Sequence, residues 1–398
     1  MPSHIGHTLS VSVFGQSHSA AIGCVIEGIP AGFKLDQEAL AQFMARRAPG
    51  CAKWSTPRRE LDQFNIVSGL NSQGKSCGAP FCAYIQNTNT RSGDYATMLE
   101  VPRPGHADFT AEAKFNGAQD VAGGGHFSGR LTACLCIAGG IAQQLLASVG
   151  IHVSAHLYSV GSVQDEELCW RDNTPQGRAL LQDQLHTLQA LHEQEVAEGT
   201  QLLTTLSPAT RAAMEAEIAD ARTHQDSIGG SIECVAVGLP AGVGSPMFEG
   251  LENLYAQALF GIPAVKGVEF GEGFDAAKSR GSQNNDPFAI QDSSHEVYPL
   301  TNHAGGILGG ISSGACVRMR VAIKPTPSIA QEQQSVNMRT QEATTLSIRG
   351  RHDPCIVGRA CAVVEAVASF VTLDALLSFD ESAWFMNRFR EATAHGEA

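Results

Sequence analysis

The order of strand and helix patterns along its 398 residues is the feature that most limits how this chain can fold. Strand patterns come in pairs between helical patterns and do not alternate regularly with single helices. Because a parallel sheet needs a crossover, usually a helix, after each strand, this order favours an α+β fold over a doubly wound sheet. The predicted strands are Thr8–Phe14, Cys24–Glu27, Phe64–Val67, Phe81–Ile85, His152–Val160, Ser231–Val237 and Cys316–Ile323.

Helices are predicted where apolar residues recur with helical spacing or form apolar runs that end at turn residues. The longest apolar run, Leu131–Ala142, is too short to cross a membrane and predicts a buried helix. The polar residues 185–223 have a helical composition and predict an exposed helical excursion. Because no linker divides the chain, we predict a single domain, 1–398, that contains this excursion. The other predicted helices are Asp36–Arg47, Ser128–Val149, Phe248–Phe260 and Ala362–Leu377.

Two glycine-rich segments are alike in sequence, AGGGHFSGRLTAC at 122–134 and AGGILGGISSGAC at 304–316. Glycine-rich strings match easily by chance, and a true repeat would mark an internal duplication of the fold. The sequence leaves both explanations open.

The charge balance, the cysteine pattern and the N-terminal residues each limit the class of protein. The formal net charge is −13, which argues against a nucleic-acid-binding protein, because such proteins neutralise phosphates with a basic face. The 11 cysteines form no CxxC pair, and the N-terminus lacks the basic and apolar regions of a signal peptide. We therefore expect a cytoplasmic protein that is not inserted in a membrane. An anionic ligand would need a local basic cluster.

One basic cluster comprises Arg46, Arg47, Lys53, Arg58 and Arg59. Such a run is ordinarily a solvated face. Here a Pro-Gly pair breaks the helix after Arg47, so the side chains can converge, and arginine forks match phosphate and carboxylate oxygens.

Three short turns each place a histidine beside serine, arginine or aspartate, and a histidine held near a phosphate is a usable proton donor at neutral pH. Each turn alone is a weak signal, since turn histidines are usually only exposed. The turns are GQSHS at 15–19, RPGHAD at 103–108 and RHDPC at 351–355.

Several familiar motifs are matched only in part. GGHFSGRL lacks the Lys and Ser/Thr of a phosphate-binding loop, and no dinucleotide fingerprint GxGxxG follows a strand. GISSG at 310–314 matches the hydrolase elbow GxSxG, but a strand follows it where a helix is required. His152 and His156 lie on a predicted strand, roughly 13 Å apart. No metal site is predicted.

Taken in order, the motifs resemble those of the chorismate synthase family, and they extend from Gly15 to Cys355. The succession of NHAGGILGGISSG, KPTPS and RHDPC is the most specific part. The matching strings are GQSHSAAIG, RRAPG, PRRELD, RPGHADFT, GGGHFSGRLTA, DSIGG, GIPAVKGVEFGEGF, GSQNND, TNHAGGILGGISSG, KPTPSI and GRHDPC.

The resemblance implies a β-α-β sandwich, a homotetramer and a requirement for reduced FMN. The implied reaction is the anti-1,4-elimination of phosphate from 5-enolpyruvylshikimate 3-phosphate to give chorismate, the final step of the shikimate pathway to aromatic amino acids. It involves no net redox change. The sequence leaves open whether the chain reduces its own flavin with NADPH, and the missing dinucleotide fingerprint favours an external flavin reductase.

The resemblance also implies roles for individual residues. His18 corresponds to the general acid toward the leaving phosphate, His106 to the histidine beside flavin N1/O2, and Asp353 to the aspartate that assists proton removal at flavin N5. Ser17 and Ser128 are their hydrogen-bonding neighbours. The implied substrate contacts are Arg46, Arg47, Lys53, Arg103 and Arg351. The implied FMN contacts are His126, Phe127, Ser128, Pro263, Ala264, Gly309, Lys324, Pro325, Thr326, Pro327, Ser328 and Arg351.

The chain departs from the family pattern at several of these motifs, although His18, His106 and Asp353 are all present. The alternatives are a serine hydrolase that uses Ser312 and an inactive homologue that binds flavin or a phosphometabolite. The intact acid–base residues favour the enzyme. The departures are Gln16, Ser19, Ala48, His126, Phe127, Gln225 and Pro263.

Overall fold

The computed structural model describes residues 3–50, 52, 62–88, 100–291, 295–348, 353–381 and 383–395. The strands, numbered along the chain, are β1 His4–Gly6, β2 Ser10–Gly15, β3 Ala21–Glu27, β4 Phe64–Ser68, β5 Phe81–Gln86, β6 His152–Val160, β7 Val163–Gln164, β8 Gly230–Val237, β9 Val265–Phe270, β10 Phe288–Ile290, β11 Val297–Pro299, β12 Ile307–Leu308, β13 Ile311–Ser312, β14 Val317–Ile323, β15 Gln333–Asn337 and β16 Glu342–Leu346. The helices are α1 Gln37–Arg47, α2 Asp108–Phe115, α3 Thr132–Ala147, α4 Pro175–Glu198, α5 Pro208–Thr223, α6 Leu251–Phe260, α7 Gly281–Asn284, α8 Val357–Phe379 and α9 Trp384–His395.

Two five-stranded antiparallel sheets form the outer layers of the fold. The first has the strand order β1-β2-β3-β5-β4 and the second has the order β7-β6-β8-β14-β9. Alternate side chains on β3 are buried in the core, as expected for a sheet with one covered face. The α+β class predicted from the sequence is confirmed.

Four helices fill the space between the two sheets. Helix α3 packs on β2 and β3 of the first sheet, α8 packs on β6 and β8 of the second, and α1 and α6 complete the layer. Helices α3 and α8 approach closely at Gly139, where a Cβ atom would lie 2.3 Å from the Cα atom of Ala366. This layering is the predicted β-α-β sandwich.

Two of the four helices of the middle layer, α3 and α8, are apolar on nearly all sides. The segments Gly129–Ala147 and Val357–Phe379 are long and apolar enough to cross a membrane by composition, and 78% and 94% of their most apolar windows are buried inside the protein. Both therefore form the core of the sandwich. Helix α8 also carries a buried carboxylate, Glu365, which Arg46 and Gln143 satisfy with hydrogen bonds.

The segment 185–223, predicted as an exposed helical excursion, belongs to helices α4 and α5. The first begins ten residues before the predicted start, where Thr174 caps the helix by accepting a hydrogen bond from the N–H of Gly177. One face of α4 is buried, because its leucines pack around Trp170 on the outer face of the second sheet.

The two glycine-rich segments fold differently. Residues 122–134 form a 3₁₀ turn and then the start of α3, whereas 304–316 form a turn and the β12–β13 hairpin. Their sequence likeness therefore does not correspond to a structural repeat.

Candidate active site

A cavity of about 700 Å³ opens where loops from both sheets meet the amino-terminal end of α8. Its lining comes from the loop after β2, the turn before α2, the 3₁₀ segment before α3, the α6–β9 connection and the segment after β14. The predicted site residues in the lining are Ser17, Arg47, Arg103, His106, His126, Phe127, Ser128, Pro263, Ala264, Lys324, Thr326, Pro327, Ser328 and Asp353.

Gly123 allows the loop after β2 to pack tightly against the 3₁₀ segment before α3. Gly123 has a φ of +62°, and a Cβ atom there would lie 2.6 Å from both Ser17 Oγ and His18 Nε2. The N–H of Ser17 donates to the carbonyl of Gly125 at 3.1 Å, and the hydroxyl of Ser128 donates to that of Ser17 at 3.3 Å. His18 therefore lies directly behind Gly123, which itself lines the cavity.

A buried carboxylate organises the RPGHAD turn. Asp108 accepts hydrogen bonds from Nε and a terminal nitrogen of Arg103, at 2.7 and 2.8 Å, and from Nδ1 of His106 at 2.6 Å. Burial alone would raise the pKa of Asp108, but the hydrogen bonds from Arg103 and His106 outweigh it and lower that pKa well below its usual range. Arg103 also donates to the hydroxyl of Ser328 at 3.3 Å, which links this turn to the segment after β14.

His126 is held by two hydrogen-bond partners at the edge of the first sheet. Its Nε2 lies 3.1 Å from the hydroxyl of Ser3, and its Nδ1 lies 3.4 Å from the carbonyl of Gly15. Both ring nitrogens are thus engaged within the protein, which fixes the orientation of the ring.

A second basic group lies at the end of α1. Arg47 is 3% exposed and donates to the main-chain carbonyl of Arg130 at 3.3 Å. Arg130 in turn pairs with Asp62, whose other oxygen lies 3.3 Å from Nε of Arg47. Both arginines line the cavity.

Two lysines lie on the wall formed by β9 and the segment after β14. Burial lowers the pKa of Lys324, and the positive charge of the neighbouring Lys266 lowers it further. The amine of Lys324 donates to the carbonyl of Gly105, and its main-chain N–H donates to Ala264 at 3.0 Å. The wall is thereby joined to the RPGHAD turn.

The described cavity lining contains one carboxylate, that of Asp353. Arg359, in the first turn of α8, forms an ion pair with it. The carbonyl of Pro354 accepts a hydrogen bond from the N–H of Ile228 at 2.8 Å, which fixes the chain at this point. Arg351 of the same motif lies outside the described residues.

The described lining is strongly basic although the chain has a net charge of −13. One carboxylate faces six lysine and arginine side chains and two histidines. This is the local basic cluster that an anionic ligand requires. The six cationic residues are Arg47, Arg103, Arg130, Lys266, Lys324 and Arg359.

Some predicted residues are placed elsewhere. Arg46 donates to both oxygens of Glu365 at 2.8 and 2.9 Å, because one residue along a helix turns the side chain by about 100° away from the face of Arg47. Gly309 lies in the turn of the β12–β13 hairpin, and Pro325 is an exposed residue between two lining ones; neither is in the described lining. Lys53, Arg58 and Arg59 lie outside the described residues.

Sequence reasoning missed five residues that lie in the lining or directly behind it. Asp108 is the last residue of the motif RPGHAD. Arg130 lies in GGHFSGRL at the position where a phosphate-binding loop has lysine. Asp62 and Lys266 also lie inside quoted motifs, PRRELD and GIPAVKGVEFGEGF, whereas Arg359 lies in none. The five are Asp62, Asp108, Arg130, Lys266 and Arg359.

Ser312 of GISSG does not have the setting of a hydrolase nucleophile. It is 4% exposed and lies on the two-residue strand β13 rather than between a strand and a helix. Its hydroxyl donates to the carbonyl of Pro240 at 2.6 Å and accepts from the N–H of Val243 at 2.9 Å.

Comparison with known proteins identifies the family to which this chain belongs. The family model described as chorismate synthase matches residues 9–377 of the chain. The chain belongs to the chorismate synthase family. This confirms the family resemblance deduced from the motifs.

Curated relatives cover almost the whole chain. A chorismate synthase of Lancefieldella parvula is 46% identical over 379 residues, which are 95% of this chain and 97% of the relative. A chorismate synthase of Lachnoclostridium phytofermentans is 43% identical over 379 residues, 94% of this chain and 95% of the relative. A crystal structure of chorismate synthase has the same fold, with a TM-score of 0.71, 24% identity and 99% coverage of both chains.

Proposed function

We propose that this protein catalyses the elimination of phosphate from 5-enolpyruvylshikimate 3-phosphate to give chorismate, with reduced FMN and without net redox change. The observation that carries the proposal is the gathering of six cationic side chains, His106 and Asp353 around one cavity of about 700 Å³. Membership of the chorismate synthase family supports it. In the cell this reaction would be the final step of the shikimate pathway.

The charges of the cavity fit the substrate, which carries a phosphate and two carboxylates. Arginine forks bind such groups through paired, charge-assisted hydrogen bonds. Arg47, Arg103 and Arg130 come from α1, the RPGHAD turn and the segment before α3, whereas Lys266 and Lys324 come from β9 and the segment after β14. The site can therefore hold more than one anionic group.

The residues present also fit a flavin mononucleotide. Two buried side-chain atoms of the lining, Oγ1 of Thr326 and Nε of Arg359, have no hydrogen-bond partner among the residues that the structure describes. Buried polar atoms are normally paired, so these atoms indicate a bound molecule that pairs with them. The volume lies in the usual range of cofactor pockets. The residues that would hold FMN are His126, Phe127, Ser128, Pro263, Ala264, Lys324, Thr326, Pro327 and Ser328.

The hydrogen that leaves the substrate ring is not acidic, and bound reduced FMN would supply the electron density that assists phosphate departure. The protein's part is to bind, orient and transfer protons. Arg47 and Arg130 bind the anion, while Asp108 orients His106 with its Nε2 toward Gly124, where a Cβ atom would lie 3.4 Å away. The general acid toward the leaving phosphate would be His18, whose Nε2 lies behind Gly123 of the lining, and Asp353, held by Arg359, would accept a proton.

An assay under anaerobic conditions tests this function. The protein is incubated with 5-enolpyruvylshikimate 3-phosphate and chemically reduced FMN, oxidised FMN or no flavin, and chorismate and phosphate are measured. We expect product with reduced FMN alone. Equal turnover in the three samples would refute the flavin requirement, and binding of substrate and flavin without phosphate release would establish an inactive binding homologue.

We further propose that an external reductase supplies the reduced flavin, so that NADPH acts only indirectly. Adding NADPH and oxidised FMN without a reductase should give no product. Turnover under those conditions would show that the chain reduces its own flavin.

We also propose that the protein is a cytoplasmic homotetramer. Exposed apolar side chains that are paired on one hairpin, Ile290 of β10 and Val297 of β11, support assembly, because contiguous apolar patches mark interaction sites. Sedimentation velocity over a range of concentrations measures the state, and a monomer at all concentrations would refute it. Other exposed apolar side chains on the described surface include Phe248, Phe274 and Phe288.

A further inference from the structure

Asp62 is a buried carboxylate at which two arginines of the cavity meet. Its side chain has 0% exposure, against 3% for Arg47 and 6% for Arg130. Arg130 pairs with Oδ1 of Asp62 through a terminal nitrogen and donates from Nε to the side-chain oxygen of Asn87 at 3.2 Å. Arg47 approaches Oδ2 of Asp62 and the carbonyl of Arg130, both at 3.3 Å.

We propose that Asp62 is a positioning residue that holds Arg47 and Arg130 together as one two-arginine site for an oxyanion of the substrate. The inference rests on the proposed function. Asp62 is not part of the described cavity lining, whereas both arginines are, so it acts only through them.

The charges explain why such a residue is needed. Two buried guanidinium groups would repel each other, and a carboxylate between them offsets one of the two charges. One net positive charge then remains for a ligand. Nε of Arg47 faces Oδ2 of Asp62, so the contact with the carboxylate fixes the direction of the guanidinium group.

Positioning and simple electrostatics predict opposite effects when the carboxylate is neutralised. If only charge mattered, removing a negative group would make the site more positive and an anion would bind more tightly. If Asp62 fixes the geometry of the two forks, the same change would weaken binding, because a displacement near 1 Å can cost roughly a hundredfold.

Asp62→Asn is the appropriate variant. Asp62 has a φ of +47°, a conformation that asparagine also adopts readily, so the change removes the charge and keeps both the size and the backbone. The dissociation constant of inorganic phosphate is measured by titration calorimetry, and KM and kcat are measured with 5-enolpyruvylshikimate 3-phosphate. We expect phosphate affinity to fall by roughly tenfold to a hundredfold and KM to rise in parallel. We expect kcat to change much less.

Glu365→Gln is the matched control. Glu365 also pairs with a buried arginine of α1, Arg46, but this pair lies away from the described cavity lining. The control should lower the free energy of unfolding and leave the phosphate affinity of the folded protein unchanged. Equal weakening in both variants would mean general loosening of α1 and would overturn the inference.

Phosphate binding by folded Asp62→Asn that equals or exceeds that of the native protein would also overturn it. Should Asp62→Asn not fold, Asp62→Glu keeps the charge and moves the carboxylate by one methylene; unchanged phosphate affinity in that variant would equally overturn the inference. Phosphate binding needs neither flavin nor turnover. A native protein that binds phosphate here but forms no chorismate would therefore refute the proposed function alone.

Discussion

Nδ1 of His106 lies 2.6 Å from Oδ1 of Asp108, and Arg103 donates to both oxygens of the same carboxylate. Because the ionised carboxylate can only accept hydrogen bonds, the proton of this contact belongs to Nδ1 of the histidine. The opposite nitrogen, Nε2, is then the acceptor; it lies 3.3 Å from a terminal nitrogen of Arg103 and beside Gly124 of the lining. One buried aspartate therefore sets the orientation of a proton-transfer group and of an anion-binding arginine.

Asp108→Asn should lower turnover about a hundredfold to ten-thousandfold, since the amide no longer fixes the histidine tautomer. The measurement is kcat with reduced FMN and 5-enolpyruvylshikimate 3-phosphate. Asp286→Asn is the control, because Asp286 accepts a hydrogen bond from Nδ1 of His303 at 2.8 Å outside the described lining. A raised KM with native kcat in Asp108→Asn would make His106 a binding group instead.

Asp353→Asn should slow single-turnover chemistry by about a hundredfold or more and leave the affinities for FMN and substrate close to native. The reason is that the amide keeps the size of the group and removes the proton acceptor. Arg359→Lys keeps the positive charge beside Asp353 but replaces a planar guanidinium, which can donate two parallel hydrogen bonds, with a compact ammonium group. This variant should mainly weaken ligand binding. Asp353→Asn that loosened both ligands without slowing the bound-state reaction would assign Asp353 a structural role.

His192 on α4 should make the protein less stable in mild acid. Burial lowers its pKa from 6.5 to about 3, the positive charge of Arg46 contributes in the same direction, and Glu365 partly opposes it. The folded protein thus keeps His192 neutral while the unfolded chain takes up a proton below pH 6.5, so the stability present above that pH is lost progressively as the pH falls toward 3.

His192→Leu removes this titration. Its free energy of unfolding should fall less than that of the native protein between pH 7 and pH 5, by about 1 to 2 kcal/mol. Urea unfolding at the two pH values measures the difference, and His224→Leu on the exposed end of α5 serves as the control. Identical pH dependence in His192→Leu and the native protein would mean that His192 carries a proton in the fold.

Gly139→Ala should destabilise the contact between α3 and α8. The new Cβ would lie 2.3 Å from the Cα and carbonyl oxygen of Ala366, and main-chain atoms inside a packed layer cannot move aside cheaply. We expect a loss of about 3 kcal/mol in the free energy of unfolding. Gly129→Ala, whose Cβ would have nothing within 4 Å, should stay within about 0.5 kcal/mol of the native protein.

Local patterns predicted element types well and element ends less well. Strand β6 has the predicted bounds His152–Val160, and the predicted start of α1, Asp36, is its N-cap, which accepts hydrogen bonds from the N–H groups of Glu38 and Ala39. Helix α8 begins five residues before its predicted start, Ala362. The first turn of α8 contains Arg359, which pairs with Asp353 at the cavity, so a search for apolar spacing does not detect that turn.

By itself the sequence determined the α+β class, the family and most of the turns that meet at the cavity, because periodicity, capping residues and short motifs are properties of neighbouring positions. Tertiary structure alone decided which charges pair. Asp62 and Arg130 are 68 positions apart, and Arg46 and Glu365 are 319 apart, so no local pattern links them. Arg46 and Arg47 are adjacent in the chain, yet helix geometry directs one to a buried carboxylate and the other to the cavity.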